Sequence, residues 1–381
     1  MEIKPSSLPS FERNALTVHG LLGKGGFSNV YSVAPAEEEN HWRGHVPKSL
    51  SFDSESPSTD VTEVSTGGDC DTEDSPSARH EPLRKSEHRV DYAMKTLNSK
   101  TLKDSAKAMR AAKDMQKEYS ILANLPYHPN IIQLRGVSAN FFDENPAPEN
   151  IFLLLEKVDE SLDQLITRWV EDEKQRVGCI GAPRVLRSKQ RMELKQAERF
   201  QTIALGLVEA MSFLHEHNVI YRDLKPANCG VHSDGRVILF DFASAVKMEP
   251  NSPLRSRTGT LRYLAPECAL RKEYDLKVDV YSFGIVLWEL CTLEKPYKKI
   301  KSPDSLKMAV MRSDVHPPLD KSHIPSSKIR HLLGDCWASD PIHRPTFPQI
   351  RSLLKEEIQR MIGTRLEIVA VTKQMKDPPS L

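Results

Sequence analysis

The order of the hydrophobic patterns constrains the fold of this chain more than any other feature of the sequence. Strand-like patterns come first: two short strands surround a glycine-rich turn at residues 17–33, and "VDYAMKTL", "NIIQLRGVSAN" and "IFLLLEKV" follow. One charged amphipathic helix is predicted among them, over roughly residues 103 to 125. Beyond these strands the pattern becomes helical, starting with "SLDQLITRWV". A strand-first, helix-later order predicts two lobes of different structural class.

Two charged segments interrupt this order. Residues 34–88 contain 13 acidic residues, 5 basic residues and 13 Ser or Thr. Because they include few large apolar residues, this acidic insert is predicted to be disordered. It is interpreted as a solvated spacer, while Ser56 and Ser75, each followed by Pro, leave phosphorylation open as an alternative.

A second, basic insert is predicted at residues 171–196. From residue 184 to 196 it carries one acid, Glu193, against five basic residues, which are Arg184, Arg187, Lys189, Arg191 and Lys195. Most such charge runs are solvated loops. The alternative is that this insert docks an acidic partner or the acidic insert itself.

Composition narrows the functional class. The 381 residues have a formal net charge of +1, so no overall field favours nucleic acid or an anionic membrane as a partner. The six cysteines include no Cys-x-x-Cys pair, which argues against zinc and disulfides and favours a reducing compartment. The amino-terminal residues lack an apolar signal region, and the most apolar run, from Val280, includes Glu289. A soluble, cytoplasmic protein without a membrane span is expected.

The stretch "VIYRDLKPANCGV", residues 219–231, combines side chains that suit phosphoryl transfer. Asp223 can accept a proton from a hydroxyl, Lys225 can neutralise a phosphoryl group, and Asn228 can offer an oxygen to a hard cation. Thirteen residues later a strand ends on Asp241, a second oxygen ligand. Together these residues predict a phosphoryl-transfer site with two ligands for magnesium.

Three further features of the first lobe can each be interpreted as purely structural or as functional. The turn "GKGGFSNV" places Gly23 and Gly25 where backbone N–H groups can approach phosphate, although most such turns are plain hairpins. Lys95 lies within an apolar strand, where an unpaired ammonium is costly. Glu118 is its candidate partner, or otherwise part of a solvated helix face.

In this order, the motifs resemble those of the eukaryotic protein kinase family. "YLAPE", "DVYSFG" and "CWASDPIHRPTF" follow where that family has the end of its activation segment and later elements. The resemblance implies an α+β, bilobal fold over residues 17–361. It comprises a small antiparallel sheet with one key helix (17–158) and a mainly helical lobe (159–361), and residues 362–381 form a tail.

The resemblance also implies roles for the charged residues. Lys95 would bind the α- and β-phosphates of ATP and pair with Glu118. Asn228 and Asp241 would hold Mg²⁺, and Asp223 would orient the substrate hydroxyl. Lys225 resembles the serine/threonine pattern together with Thr260, so protein Ser/Thr phosphorylation is expected. The segment "CWASDPIHRPTF" is closer to the tyrosine-kinase-like branch of the family, which leaves dual specificity as a minor alternative.

For the rest of the fold, the resemblance implies an adenine pocket and a structural ion pair. Adenine would lie against Val30 and Ala93. The backbone near Glu156 and Val158 would hydrogen-bond its edge, and Leu155 would guard the back of the pocket. Arg344 and Glu267 would form an ion pair in the helical lobe.

Four residues depart from the family pattern. Tyr221 replaces a commoner His, and either ring can pack on Phe242 and hydrogen-bond through its tip. Ser28 replaces the third glycine of the turn. Ala243 replaces a Gly after Asp-Phe and would restrict the backbone there. Gly230 replaces a large apolar residue under adenine, so the pocket is expected to lack contacts and the Michaelis constant for nucleotide to rise.

Ala243, Gly230 and Ser28 support the alternative of a pseudokinase that binds nucleotide or acts as a scaffold. The enzyme is preferred because all five charged or metal-binding residues are present. A small-molecule kinase is disfavoured by "APE" and the later motifs. Arg222, immediately before Asp223, predicts an activating phosphate on the segment between Asp241 and Glu267. Ser256 is the first candidate, with Thr258 and Ser252 behind it.

Overall fold

The computed structural model describes residues 8–35, 92–143, 147–177, 186–249 and 252–376. They form a sheet-rich lobe followed by a helix-rich lobe, which confirms the predicted α+β, bilobal fold. Residues 36–88 of the predicted acidic insert, with Ser56 and Ser75, lie outside the described residues.

The first lobe is built on a six-stranded sheet with strand order β1-β5-β6-β4-β3-β2. Its elements are β1 (Ser10–Phe11), β2 (Leu16–Lys24), β3 (Ser28–Pro35), β4 (Tyr92–Leu97), α1 (Ser99–Leu102), α2 (Ser105–Asn124), β5 (Leu134–Ser138) and β6 (Phe152–Glu156). The pairs among β2 to β6 are antiparallel, as predicted.

Strand β1 is an addition to the predicted sheet, because it precedes residue 17 and runs parallel to β5. Gly136 of β5 makes room for it. A Cβ atom at Gly136 would lie 2.5 Å from the Phe11 ring and 2.9 Å from the Pro9 carbonyl oxygen. The lobe therefore begins earlier than the sequence pattern indicated.

Helix α2 confirms the predicted amphipathic helix. The Asp104 side chain caps it by accepting a hydrogen bond from the Lys107 N–H. Its buried positions recur at the helical spacing and include Ala108, Ala111, Met115 and Glu118. Glu118 therefore lies on the face of α2 that packs inward, and not on the solvated face.

The second lobe contains further strands and helices that bear on the site or the core. They are β7 (Glu160–Ser161), α3 (Leu162–Val177), α4 (Leu186–Arg199), α5 (Leu205–Glu216), β8 (Val219–Ile220), β9 (Cys229–Val231), β10 (Val237–Leu239), β11 (Val246–Lys247), α6 (Pro266–Ala269) and α7 (Lys277–Thr292). It ends with α8 (Pro303–Val310), α9 (Ser327–Cys336) and α10 (Phe347–Lys376).

Helix α7 is the centre of this lobe. Every residue from Val278 to Cys291 is buried, as in a helix that is surrounded by other elements on all sides. Next to it, β9 pairs with β7 and β10, and β8 pairs with β11. The loop between β8 and β9 and the loop between β10 and β11 carry the predicted catalytic and metal-binding residues.

The structure corrects the prediction for the basic insert. Residues 171–196 are not a loop throughout, because α3 extends to Val177 and α4 begins at Leu186. Lys195 is already paired within the chain, since its Nζ lies 2.9 Å from the Glu173 carboxylate. Arg199 contacts the same carboxylate at 2.9 Å, and these two ion pairs fasten the base of the insert to α3.

Two smaller findings concern the carboxyl-terminal region and the membrane. The predicted tail from residue 362 continues α10, whose backbone is helical to Lys376. In the part of the chain that the structure describes, no helix is both long and apolar enough to cross a membrane.

Candidate active site

Three of the predicted charged side chains meet between the lobes. Lys95 Nζ, on β4, lies 2.6 Å from Glu118 Oε2 on α2 and 2.8 Å from Asp241 Oδ1, just after β10. Glu118 is fully buried and Lys95 is only 8% exposed. The structure thus brings together residues that are 23 and 146 positions apart in sequence.

The electrostatics of this cluster follow from burial and from the pairing. Burial acts to lower the pKa of Lys95, but the carboxylates of Glu118 and Asp241 outweigh it, and the pKa is raised. Burial raises the pKa of Glu118 against the opposing charge of Lys95. At Asp241 burial is outweighed by Lys95, and the pKa is lowered. An ammonium and an ionised Asp241 therefore stand side by side at neutral pH.

The residues around Asp241 hold it in place. The Phe242 N–H donates a hydrogen bond of 3.1 Å to Glu118 Oε1. The Tyr221 ring packs edge-to-face on Phe242 at 5.2 Å, and its hydroxyl donates to the Phe240 carbonyl. This confirms the packing expected of Tyr221. The left-handed conformation falls on Asp241 (φ 63°), and Ala243 lies in a 3-10 turn that needs no glycine.

The loop after β8 forms the second half of the site. Asp223 Oδ1 accepts a hydrogen bond of 2.7 Å from Thr260 Oγ1, and Asp223 Oδ2 accepts one of 2.7 Å from Lys225 Nζ. Lys225 Nζ also donates to Thr260 Oγ1 at 2.8 Å. The Asn228 amide nitrogen donates to Asp223 Oδ2 at 3.0 Å. The side chains of Thr260, Lys225 and Asn228 thus fix the Asp223 carboxylate in one orientation.

Asp279, at the start of α7, supports this loop from below. Its fully buried carboxylate accepts hydrogen bonds from the backbone N–H groups of Tyr221 (2.9 Å) and Arg222 (2.8 Å), and it also lies 3.1 Å from His215 Nε2. The sequence analysis quoted Asp279 only as part of a motif. Its role depends on backbone groups, which a side-chain pattern does not reveal.

Gly259 was missed by the sequence analysis although the contact between Thr260 and Asp223 depends on it. Gly259 has φ +116°, and a Cβ atom there would lie 2.3 Å from the Arg222 carbonyl oxygen. Only glycine adopts that conformation at so close an approach. Its position directly before Thr260 was the sequence signal that the backbone approaches another segment closely there.

Arg222 links the loop after β8 to the predicted phosphorylation segment. Its Nε donates to the Ser244 carbonyl at 2.6 Å, and its Nη1 donates to Ser256 Oγ at 3.0 Å. The Tyr274 hydroxyl lies 3.0 Å from Ser256 Oγ and also donates to the Ser256 carbonyl. Ser256 therefore lies directly against Arg222, whereas Thr258 reaches it only through Ser256.

The glycine-rich turn lies at the edge of β2 and β3. Gly23 pairs with Val30, and the Gly25 N–H donates to the Ser28 carbonyl at 2.7 Å. Asn98, which the sequence analysis did not identify, holds the tip of the turn. Its Nδ2 donates to the Gly25 and Gly26 carbonyls at 3.2 and 3.3 Å. The signal for Asn98 was its position before α1, whose first turn its Oδ1 caps.

The predicted base-binding residues lie on neighbouring strands and on the link between the lobes. Val30 pairs with Lys95, and Ala93 pairs with Leu155. Glu156 ends β6, and its N–H already donates to the Gln133 carbonyl at 2.9 Å. Val158 follows on the segment that leads to β7. This end of the cleft consists of apolar side chains and backbone.

The predicted ion pair of the helical lobe is confirmed. Arg344 donates to Glu267 through two nitrogens, at 2.5 and 3.0 Å, and its guanidinium also packs on the Tyr281 ring. Arg344 is almost fully buried. A bidentate, buried pair of this kind fastens α6, at the end of the segment with Ser256, to the core of the lobe.

Comparison with known protein families agrees with this geometry. The chain matches the Protein kinase domain over residues 82–355, more than half of its length. It therefore belongs to the protein kinase family.

Its relatives include two kinases of Arabidopsis thaliana. The serine/threonine-protein kinase STY17 is 36% identical over 159 residues, and the serine/threonine/tyrosine-protein kinase HT1 is 35% identical over 187. The dual specificity protein kinase shkB of Dictyostelium discoideum is 29% identical over 239 residues. These matches cover 42%, 47% and 62% of this chain. They span 27%, 47% and 32% of the relatives, less than half of each.

Proposed function

We propose that this chain is a protein kinase that transfers the γ-phosphate of ATP to Ser or Thr hydroxyls of protein substrates. The observation that carries the proposal is the Asp223 carboxylate, which accepts hydrogen bonds from Thr260 and Lys225. A carboxylate fixed in this way is suited to orient a hydroxyl group and to take its proton. The involvement of Thr260 and Lys225 favours Ser or Thr as the acceptor.

The residues near Asp223 fit ATP and Mg²⁺. Mg²⁺ prefers hard oxygen ligands, and Asp241 is held ionised by Lys95. Asn228 commits its amide nitrogen to Asp223, so its carbonyl oxygen is the atom suited to a cation. Asp241 and Asn228 would thus hold Mg²⁺, which supplies charge neutralisation to phosphate oxygens when bound. The Lys95 ammonium would bind the α- and β-phosphates.

In the reaction, Asp223 would hold the substrate hydroxyl and accept its proton as the hydroxyl oxygen takes the phosphoryl group. Lys225 Nζ, 2.7 Å from Asp223 Oδ2, would stabilise negative charge on the transferred group. Glu118 holds Lys95 in position and does not itself contact the reacting atoms. Gly23 and Gly25 would let the turn approach the phosphates closely, because neither carries a side chain.

At the other end of the cleft the adenine base would lie against Val30 and Ala93. The backbone at Glu156 and Val158 would hydrogen-bond its edge. Because the Glu156 N–H already donates to the Gln133 carbonyl, Glu156 would contribute its own carbonyl oxygen to the base. Leu155, 6% exposed, would close the back of the pocket.

The setting and partners remain proposals. Four cysteines among the described residues, at positions 229, 268, 291 and 336, are free and buried, which supports a reducing, cytoplasmic location. Protein substrates follow from the proposed activity. An acidic partner at the basic insert stays a prediction that now lacks Lys195, although Arg191 is exposed.

The proposal is tested by incubating the purified chain with labelled ATP, Mg²⁺ and a peptide library, with Asp223→Asn as the control. We expect the wild-type chain to label Ser or Thr residues of the peptides and the Asp223→Asn control to label none. Label on Tyr would revise the acceptor. Nucleotide binding without any transfer would favour the pseudokinase, although the described catalytic residues are all present and paired.

A further inference from the structure

The inference starts from Gly230, in the middle of β9. Gly230 pairs with Ser161 of β7 on one side and with Ile238 of β10 on the other. Its neighbours Cys229 and Val231 are buried and belong to the main core. Because successive residues of a strand face opposite sides, a side chain at position 230 would lie on the other side of β9 from those of Cys229 and Val231. It would point toward the link between the lobes, where Val158 lies.

Val158 fills the space that a side chain at position 230 would need. A Cβ atom built on Gly230 would lie 2.8 Å from Val158 Cβ, 2.8 Å from Cγ1 and 2.9 Å from Cγ2. These distances are shorter than real carbon contacts, so the two positions cannot both carry a side chain without movement of the backbone. Glycine at 230 is therefore matched to valine at 158.

Val158 is also held firmly in this place. The next residue, Asp159, donates its N–H to the Val231 carbonyl at 3.3 Å, and Glu160 pairs with Val231 in the sheet. The Val158 side chain packs against the main core. The position of Val158 is therefore fixed by the paired residues that follow it and by the packing of its side chain.

We infer that Val158 forms the floor of the base pocket, in place of a side chain from β9. The inference rests on the proposed function, because it takes the base to lie between this floor and the Val30–Ala93 side of the cleft. It reverses the expectation that Gly230 leaves the pocket short of contacts. Val158 then contacts the face of the base with its side chain as well as the edge with its backbone.

The test moves the same isopropyl group between the two positions. Four proteins are compared, each carrying Asp223→Asn so that no turnover occurs: the parent, Val158→Gly, Gly230→Val, and the exchange Val158→Gly/Gly230→Val. Calorimetry measures the affinity of each for ATP with Mg²⁺ and for inorganic tripolyphosphate with Mg²⁺. Tripolyphosphate has no base, so it reports the phosphate end of the cleft alone.

We expect Val158→Gly to bind ATP about tenfold more weakly, from the loss of the isopropyl contact with the base, and to bind tripolyphosphate as the parent does. Gly230→Val should also lose ATP affinity because of the clash with Val158. The exchange should recover most of the loss, since one side chain again fills one space. Val237→Ala, a valine truncation on β10, is the matched control and should change stability without changing the ratio of the two affinities.

Equal losses of ATP and tripolyphosphate in Val158→Gly would overturn the inference, as would an exchange variant that melts cooperatively and recovers nothing. In both cases the proposed kinase activity of the wild-type chain would stand. Failure of the parent to bind ATP would overturn the inference and the proposed function together. If Gly230→Val does not fold, Gly230→Ala replaces it in both the single variant and the exchange.

Discussion

The two ends of the cleft are built in different ways. At the phosphate end, charged side chains pair at short distances, as Lys95 does with Glu118 and Asp241. At the base end, the wall consists of apolar side chains and backbone, and Val158 lies where Gly230 carries no side chain. The first end depends on the identity of each residue, and the second depends on filled volume.

This difference decides which substitutions each end tolerates. A phosphate group needs a positive charge at one point, so a Lys cannot be exchanged for another residue without loss of function. A base face needs apolar contact, and two segments that meet at one place can each supply it. Gly230 is therefore a departure from the family pattern that Val158 offsets, whereas a change at Asp223 or Lys95 has no such remedy.

The largest expected effect is at the phosphate end, in Lys95→Met. The change leaves the Glu118 carboxylate fully buried without its counter-charge. We expect a loss of about 3 to 5 kcal/mol in the free energy of unfolding, as for other buried pairs that lose one partner. Urea denaturation measures it. Lys95→Met/Glu118→Gln, which removes both charges, should recover a large part of the stability but no kinase activity. A single variant as stable as wild type would contradict a tightly coupled pair.

Asp223→Asn should have the next largest effect. We expect kcat to fall by roughly two or more orders of magnitude, because the amide cannot accept the hydroxyl proton. The melting temperature and the KM for ATP should stay near wild type, since the side chain keeps its shape and the base end is untouched. Steady-state kinetics and a thermal melt check this together. An Asp223→Asn enzyme that retained most of its activity would refute the role of Asp223.

The contrast between the two ends also explains what could be predicted from the sequence. Lys95, Asp223 and Asp241 were identified because phosphoryl transfer admits few residue types, and those types stand out in apolar surroundings. The relation of Val158 to Gly230 could not be found, because it depends on how two segments approach each other in space. Charged and polar residues can be recognised in a linear sequence, whereas the volume that two distant segments fill together cannot.

The same reasoning applies to the fold. The longer strands and α2 were predicted because their hydrophobic periods are clear. Strand β1 was missed because two residues are too few to show a period. The helical ends of the basic insert were missed because a run of charges resembles a loop, and the pairing of Glu173 with Lys195 and Arg199 becomes evident only when α3 and α4 are side by side.

A smaller effect is expected at Ser256, whose Oγ lies 3.0 Å from Arg222 Nη1. Phosphate on Ser256 would gain charge-assisted hydrogen bonds from Arg222 and order the segment that carries Thr260. Ser256→Ala should therefore lower kcat several-fold and leave the KM for ATP unchanged, because the segment acts on Asp223 through Thr260 and not on the residues proposed to bind ATP. Mass spectrometry of active enzyme should find phosphate on Ser256.

Arg222→Ala is the matched control for Ser256. Without the guanidinium, activity should no longer respond to phosphatase treatment, whereas wild-type activity should fall. Full wild-type activity with no phosphate anywhere from residue 244 to 262 would refute the switch. A fall in ATP affinity in Ser256→Ala would show instead that this segment also acts on the binding of ATP.

The smallest expected effect concerns Asn98, which holds the glycine-rich turn. Asn98→Asp keeps the acceptor oxygen that caps the Thr101 N–H (2.8 Å) but removes the donor to the Gly25 and Gly26 carbonyls. We expect the KM for ATP to rise about two- to threefold, as for the loss of exposed hydrogen bonds, while kcat and the melting temperature stay unchanged. Steady-state kinetics at varied ATP measures this.

Asn98→Ala distinguishes the effect of losing the contact with the turn from the effects of losing the helix cap and of adding a negative charge. It removes the donor and also the cap, so it should show the same rise in KM together with a loss of about 1 kcal/mol in stability. Since alanine is uncharged, an equal rise in both variants excludes repulsion between the new carboxylate and the phosphates. A wild-type KM in Asn98→Ala would mean that the turn positions itself without Asn98. A fall in kcat in either variant would mean that the turn acts on the chemical step. The two ends of the cleft would then not have separate roles at this turn.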